Sequence, residues 1–480
     1  MNSSSPTNLL LVTFDQWRGD WGDPHDPVIA LPTLQCLAAQ GWTARRCYTN
    51  SPQCVPARLS WLTGLAPSQM GVTRNLPVDI PADAPSIVRE LQQAGWHTAL
   101  VGKTHWTSHD TPCDLNDNQR LLRHLGFDFS LEVAGPRALQ RLECAITEDW
   151  RKSGVLDDQR ADLKARYGGG RSPAAWRVRP TVLPNPLYPD LWIANRSLEQ
   201  MAAMPTDRPW LLWVSFVGPH EPFDTPPPWH GNNQPERLPP ATPMPAWMEQ
   251  LPEGCELRQA QSSWAGHLTN EAIAACRADY ADHLQLLDAQ LARLLEALGQ
   301  RPDQARTAVA VTADHGELLG DSGLLYKGTF LEGAIRVPWT YRPPQSFHEQ
   351  SGDRGAAGSF SMAPVSLTGL LQHTLANLAR GGPIEQLQDW AMQQPGAVVE
   401  FGAELLLQQG LRKLALNCHG EPLWAVHLGR DPGEQTDVIT SQPHRWRWSP
   451  AWRRLRHWGR QEWQRRSAPE WIWRQLEPHA

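Results

Sequence analysis

Short uninterrupted apolar runs recur along the chain, each breaking abruptly at a loop. Asn8–Phe14 (NLLLVTF) stops at Asp15, Thr98–Val101 at Gly102, Trp210–Val217 (WLLWVSFV) at Gly218-Pro219, and Thr307–Thr312 (TAVAVT) at Ala313-Asp314. Runs of this length without alternation predict strands buried on both faces, as in a parallel sheet. Segments of helical period lie among them. Pro32–Gly41 and Ser86–Ala94 are short, and each ends at a glycine; Cys276–Leu298 is long, with Tyr280, Leu284, Leu287, Leu291 and Leu294-Leu295 as its apolar stripe. Strands alternating with helices imply the α/β class: a large, mainly parallel mixed sheet flanked by helices on both faces. All four predicted strands run into loops that carry Asp, His or Lys. In open α/β sheets, ligands bind beyond the carboxyl ends of the strands.

Elsewhere the periodicity fades. Trp106–Pro189, with Gly168–Gly170 inside it, and the proline-dense Pro219–Pro252 are expected as irregular rim segments that shape substrate access. Beyond Gly381, the stretches Ala397–Phe401, Lys413–Asn417 and Leu423–Leu428 predict a small antiparallel α+β subdomain, with His419-Gly420-Glu421 as one of its turns. From His444 the chain is rich in arginine and in tryptophan: Trp446, Trp448, Trp452, Trp458, Trp463, Trp471 and Trp473. Trp452, Leu455 and Trp463 share a helical face, so a terminal helix packing that face on the body, with arginine stems covering the rest, is expected. The division predicted is a catalytic domain over 1–380, the small subdomain over 381–443 and a helical tail over 444–480.

Composition narrows the class. The chain has 480 residues, 41% hydrophobic and 20% charged, with a net charge of −6, which excludes collagen-like, disulfide-stapled and disordered chains. No apolar run reaches the length of a membrane span, and the mild acidity offers no basis for a nucleic-acid partner. The first residues (MNSSSPTN) lack the basic region and cleavage site of a secretory signal, so a cytoplasmic location with reduced cysteines is expected. None of the eight cysteines forms a C-x-x-C pair, which removes zinc-ribbon and thioredoxin motifs. Lysine is scarce: five (Lys103, Lys152, Lys164, Lys327 and Lys413) against 39 arginines. The places where lysine is kept therefore carry information.

The most specific string is Ser51-Pro-Gln-Cys54-Val-Pro56-Ala57-Arg58-Leu-Ser60. An isolated cysteine is usually a small buried hydrophobe. Here it stands where a helix begins, ahead of a proline and an arginine, and a helix N-terminus and a guanidinium both favour negative charge. The position suits an anionic substrate.

Cys54-Val-Pro-Ala-Arg58 resembles the C-x-P-x-R signature of the formylglycine-dependent sulfatases, members of the alkaline-phosphatase-like superfamily. Further motifs follow in the family's order. Val12-Thr-Phe-Asp15-Gln16 resembles the first metal motif; its Gln16 is similar to the choline-sulfatase and phosphonate monoester hydrolase branches. Gly102-Lys103-Thr-His105, Pro219-His220-Glu-Pro-Phe223, Thr312-Ala-Asp314-His315-Gly316 with Lys327 after it, and Lys413-Leu414 with Asp431-Pro-Gly-Glu434 complete the resemblance. Ala57, Ser322 and Thr368 depart from the residues commonest in the family.

The resemblance implies a sulfatase that hydrolyses a sulfate monoester to an alcohol and inorganic sulfate. Cys54, oxidised to formylglycine by a formylglycine-generating enzyme, would supply the nucleophile as a hydrated aldehyde. Asp15, Gln16, Asp314, His315 and the Cys54-derived diol would hold one divalent cation, Ca²⁺ foremost, with Mg²⁺ or Mn²⁺ as alternatives. Gln16 either ligates through its amide oxygen or orients Asp15 by a hydrogen bond. Lys103 and Lys327 would hold the sulfate oxygens, His220 would help protonate the leaving alcohol, His105 would take the second diol proton, Arg58 would stabilise the nucleophile loop, and Asn75 would touch the diol or ester. The second reading is a phosphonate monoester or phosphodiester hydrolase on the same site; the third is a catalytically silent binding protein. Lys103 with His105 favours sulfate. A small-molecule sulfate ester is the expected partner, and the tail is a candidate for homo-oligomer assembly.

Overall fold

The structure, a computed structural model, describes residues 7–109, 113–169, 172–264, 266–345, 357–380 and 384–468. The apolar runs form its main sheet. The strands are β1 (Asn8–Asp15), β2 (Trp42–Ala44), β3 (His97–Lys103), β4 (Phe129–Val133), β5 (Trp210–Pro219), β6 (Thr307–Ala313), β7 (Trp339–Arg342) and β8 (Ser359–Ser361), in the spatial order β8-β2-β7-β6-β1-β5-β3-β4. Every residue of β1, β5 and β6 is buried, which explains their lack of alternation. β1 pairs in parallel with β5 and β6, and β3 in parallel with β5 and β4, whereas β7 is antiparallel to β6 and β2. The sheet is therefore mixed around a parallel centre.

The helices that concern the site are α1 (Pro32–Ala39), α2 (Cys54–Thr63), α3 (Ile87–Gln93), α4 (Ala145–Lys152), α5 (Leu156–Tyr167), α6 (Pro189–Ala203) and α7 (Asn270–Gly299). α7 starts six residues before the predicted Cys276, capped by the Thr269 side chain, which accepts from the Ala272 amide (3.2 Å). Its first turns are exposed or half-buried, so the apolar stripe begins only where the helix reaches the core.

Two expectations are corrected. Trp106–Pro189 is no unbroken loop: it carries β4, α4 and α5. The helical period of α5 is masked because two of its buried positions are Asp162 and Arg166, paired with each other at 2.7 Å. The C-terminal sheet has four strands, β9 (Ala397–Phe401), β10 (Glu404–Gln409), β11 (Arg412–Leu416) and β12 (Pro422–His427), in an antiparallel meander; β10 was not predicted. The tail forms a short helix over Pro443–Trp448 and then α8 (Pro450–Ser467). Trp452 and Leu455 of α8 pack with Leu405, Leu407, Leu414 and Leu416 of the small sheet. Gly170, Trp471 and Trp473 lie outside the described residues. No helix among the described residues is long and apolar enough to cross a membrane.

Candidate active site

The sheet's register assembles the site. Phe14 of β1 lies opposite Ala313 of β6, so Asp15 and Asp314 leave neighbouring parallel strands side by side. Lys103 ends β3, and His220 follows β5 directly. Cys54 is the first residue of α2. Pro56 in that first turn lacks only an amide that would have no intrahelical partner. Gln53, which precedes the helix, provides no side-chain cap; instead Asn75 Oδ1 accepts from the Val55 amide (2.9 Å), and the Asn75 amide donates to Gln53 Oε1 (2.6 Å). Asn75 thereby fixes the turn that presents Cys54.

Four buried side chains, Asp15, Cys54, Asp314 and His315, bring one ligand atom each to within 4.8 Å of one another. Two carboxylates and an imidazole suit a divalent cation of mixed oxygen and nitrogen preference. Cys54 Sγ lies 3.1 Å from His315 Nε2 and accepts from Lys327 Nζ at 3.2 Å. Lys103 Nζ pairs with Asp15 Oδ2. Burial and Asp15 push the Cys54 thiol up, but Lys103, Lys327 and His315 outweigh them and hold it well below the ordinary thiol range. Burial opposes the charge of Lys327, and Cys54, Asp15, Glu221 and Asp314 overcome it and raise its pKa.

Arg58 is buried behind the carboxylates. Its Nε donates to Asp314 Oδ2 (2.6 Å), its Nη1 to the Lys103 carbonyl (2.8 Å) and to Ser215 Oγ (3.0 Å), and its Nη2 lies 3.8 Å from Asp15 Oδ2. It positions the proposed metal ligands rather than lining the cleft. Gln16 has φ of 70°, a left-handed conformation unusual outside glycine. This turns its amide onto Asp314 Oδ1 (3.0 Å). Its side chain is held by Lys327, which donates to Oε1 (2.6 Å), and by Glu221 and Glu317, which accept from Nε2.

The cleft over Cys54 has a volume of about 520 Å³. Asn75, Lys103, His105, His220 and Lys327 line it with Cys54, as do four residues to which the sequence assigns no role: His109, Arg137, Tyr167 and Glu221. Glu221 was within reach, since it is the central residue of the Pro219–Phe223 string. Burial raises its carboxyl, yet His220, Arg137 and Lys327 bring it down to about 2. Burial and Glu221 push Glu317, next to the Asp314-His315 pair, up to about 7. Burial holds His220 below the usual imidazole value in spite of Glu221. Of the proline-dense segment Pro219–Pro252, only His220 and Glu221 line this cleft. Pro239, Pro240 and Thr242 instead border a separate cavity with Arg18, Asp321 and Ser322.

A family model described as Sulfatase matches residues 7–366. An arylsulfatase of Clostridium perfringens is 27% identical over 349 residues, covering 70% of this chain and 68% of the relative. A choline-sulfatase of Rhizobium meliloti is 27% identical over 398 residues, covering 81% and 70%. The structure of a phosphonate monoester hydrolase of Agrobacterium radiobacter superposes with a TM-score of 0.73 at 22% identity, covering 95% of this chain and 96% of the other, a likeness of fold. A family match spanning the sheet, the Cys54 helix and both acidic strand ends establishes that this chain belongs to the sulfatase family, the sulfuric ester hydrolases.

Proposed function

We propose that the protein is a formylglycine-dependent sulfatase that releases inorganic sulfate from a sulfate monoester, with Cys54 as the precursor of the nucleophile. The observation that carries this reading is Cys54 Sγ set between a buried Asp15–Asp314–His315 group and the ammonium of Lys327. Asp15, Asp314 and His315 would hold one divalent cation, with Ca²⁺ favoured by the two carboxylates. When bound, it would polarise the ester and the nucleophile as a Lewis acid. The formylglycine, when formed, would provide a hydrated aldehyde oxygen where the sulfur now stands; a formylglycine-generating enzyme is the partner this requires.

The chain's own groups then divide the work. Lys103 and Lys327 flank Cys54 and place positive charge where the oxygens of the sulfuryl group in transfer to the nucleophile carry negative charge. His220 lines the cleft with Nδ1 2.7 Å from the Glu221 carbonyl, which orients the ring; the other nitrogen is left for the departing alcohol oxygen. His105, half-buried in the cleft wall, takes the proton that restores the resting nucleophile. Arg58 holds Asp314 and the Lys103 carbonyl so that the cation site and the lysine move as one unit. The eight free cysteines fit the reducing cytoplasm, the compartment we propose.

The test is peptide mass analysis of Cys54 in active protein together with sulfate release from an aryl sulfate. Conversion of the thiol to the aldehyde, with turnover abolished in Cys54→Ala, is expected. Full activity from protein whose Cys54 is entirely thiol would overturn the reading. Faster hydrolysis of the matching aryl phosphonate monoester, by kcat/KM, would move the assignment to the second class.

A further inference from the structure

Beyond the two lysines, several polar atoms of the cleft wall have no partner among the described residues. Both ring nitrogens of His109 lack a hydrogen-bond partner among the described residues, although the side chain is only 5% exposed. His109 stacks on His105, with ring centroids 4.4 Å apart, and the buried Nδ1 of His105 is equally unpartnered. The buried hydroxyl of Tyr167 on the same wall has no partner either. Buried polar atoms are ordinarily satisfied. Several unsatisfied ones on one concave wall mark where ligand oxygens belong.

Arg137 decides the charge of that ligand. Its guanidinium carbon lies 4.5 Å from the Tyr167 ring centroid and 5.1 Å from that of Tyr326. Its Nε donates to Glu221 Oε1 (2.7 Å), with Nη2 at 2.5 Å from the same oxygen. Nη1 has no hydrogen bond among the described residues, and the side chain is 48% exposed at the cleft. Two aromatic faces and a carboxylate are what a quaternary ammonium would need. Here both faces already carry a cation. The carboxylate is covered too: Arg137 takes one oxygen, while Gln16 Nε2 (3.0 Å) and His220 Nδ1 (3.2 Å) lie against the other. A second cation would meet Arg137 head-on.

We infer that the alcohol half of the substrate is itself anionic and rich in oxygen acceptors, a carboxylated or further sulfated alcohol, with Arg137 reading its charge and His109 and Tyr167 its oxygens. This rests on the sulfatase reading and extends it to substrate class. It sets this chain apart from an enzyme for a cationic sulfate ester.

The probe is a series of three aryl sulfates: phenyl sulfate and its meta-carboxylate and meta-trimethylammonium derivatives, assayed by kcat/KM on formylglycine-bearing protein. The trimethylammonium ester has the best leaving group, so a preference for the carboxylate runs against intrinsic reactivity. The expected order places the carboxylate about tenfold above phenyl sulfate, the size of one charge-assisted hydrogen bond, and the trimethylammonium ester lowest. Arg137→Gln should collapse the carboxylate-to-phenyl ratio towards unity, and Arg137→Lys should restore part of it. The wild-type order stands as a test without the variants. Turnover of all three with equal rates, or with the cationic ester ahead, overturns this inference and leaves the sulfatase reading intact. Failure to cleave any of the three while the aryl phosphonate is cleaved overturns both.

Discussion

Lys327 offers the sharpest quantitative test of the site. Its Nζ stands 3.2 Å from Cys54 Sγ, the position of the proposed nucleophile, and 2.6 Å from Gln16 Oε1. A unit charge at that separation, with an effective dielectric constant near 20, interacts with a developing negative charge by about 5 kcal/mol. Lys103 and the proposed cation would share the load, and removal of a single preorganised donor costs about 3–4 kcal/mol in comparable sites. Lys327→Met should therefore lower kcat/KM by roughly 10²–10³-fold. Lys327→Arg should recover little, because a planar fork cannot bond both Gln16 and the nucleophile from the place of a point charge. The assay is steady-state hydrolysis of an aryl sulfate on protein matched for formylglycine content by peptide mass. A loss below tenfold at equal modification would refute the placement of Lys327 on the reacting group.

Three other changes test the surroundings. Arg58→Met leaves Asp314 and Asp15 without their guanidinium in a buried pocket, a loss of about 3–5 kcal/mol; calorimetry in the presence of a chelator should show a midpoint lowered by several degrees, with divalent cation restoring part of it. Glu132, buried against the Thr104 hydroxyl and Asn118 Nδ2, is pushed up to about 7 by burial in spite of those bonds. Since an unfolded glutamate titrates near pH 4.3, the stabilisation this group gives is full below that pH and is lost as pH rises through about 7; Glu132→Gln should flatten the denaturation midpoint over that window, and an unchanged slope would contradict the assignment. Trp452→Ala removes a side chain 1% exposed from the contact between α8 and the small sheet, a loss of about 3–5 kcal/mol; limited proteolysis should then cut near Ser449 at least tenfold faster while aryl sulfate turnover is retained.

The strands whose ends build the site were legible because burial on both faces writes them as unbroken apolar runs, and their polar stops are the site itself. Cys54, Lys103, His220, Asp314 and Lys327 follow from that rule and from local strings. What could not be read was cooperation across the chain. Arg137 lies in a stretch without apolar period, and its meaning comes from Tyr167, Glu221 and Tyr326, each brought to it by a different segment. His109 repeats His105 at a spacing of four, but it sits in a loop, so no helix face explains their stacking. β10 was missed for a local reason. Glu404–Gln409 (ELLLQQ) contains strong helix formers. It is made a strand by two-residue turns on either side, Gly402-Ala403 and Gly410-Leu411, whose glycines adopt φ of 57° and 53°.

The distribution of the two basic residues links these parts. Two of the five lysines, Lys152 and Lys164, are exposed on α4 and α5. The other three meet oxygen acceptors inside the molecule. Lys103 reaches Asp15 and Lys327 reaches Gln16. Lys413, fully buried on β11, donates to the Phe330 carbonyl (2.7 Å) and Glu434 Oε1 (2.6 Å), and lies 3.1 Å from Glu332. Phe330 is three residues beyond Lys327, so Lys413 ties the small sheet to the loop that presents the Lys327 ammonium. A compact point charge can sit among several carbonyl and carboxylate oxygens where a guanidinium would not fit. Arg58 does the complementary task of spanning Asp314, the Lys103 carbonyl and Ser215 with one planar group. The C-terminal subdomain is thus part of the active-site scaffold: Lys413→Met should lower kcat through displacement of Lys327 while leaving formylglycine content unchanged, and a variant with normal kcat would sever that link.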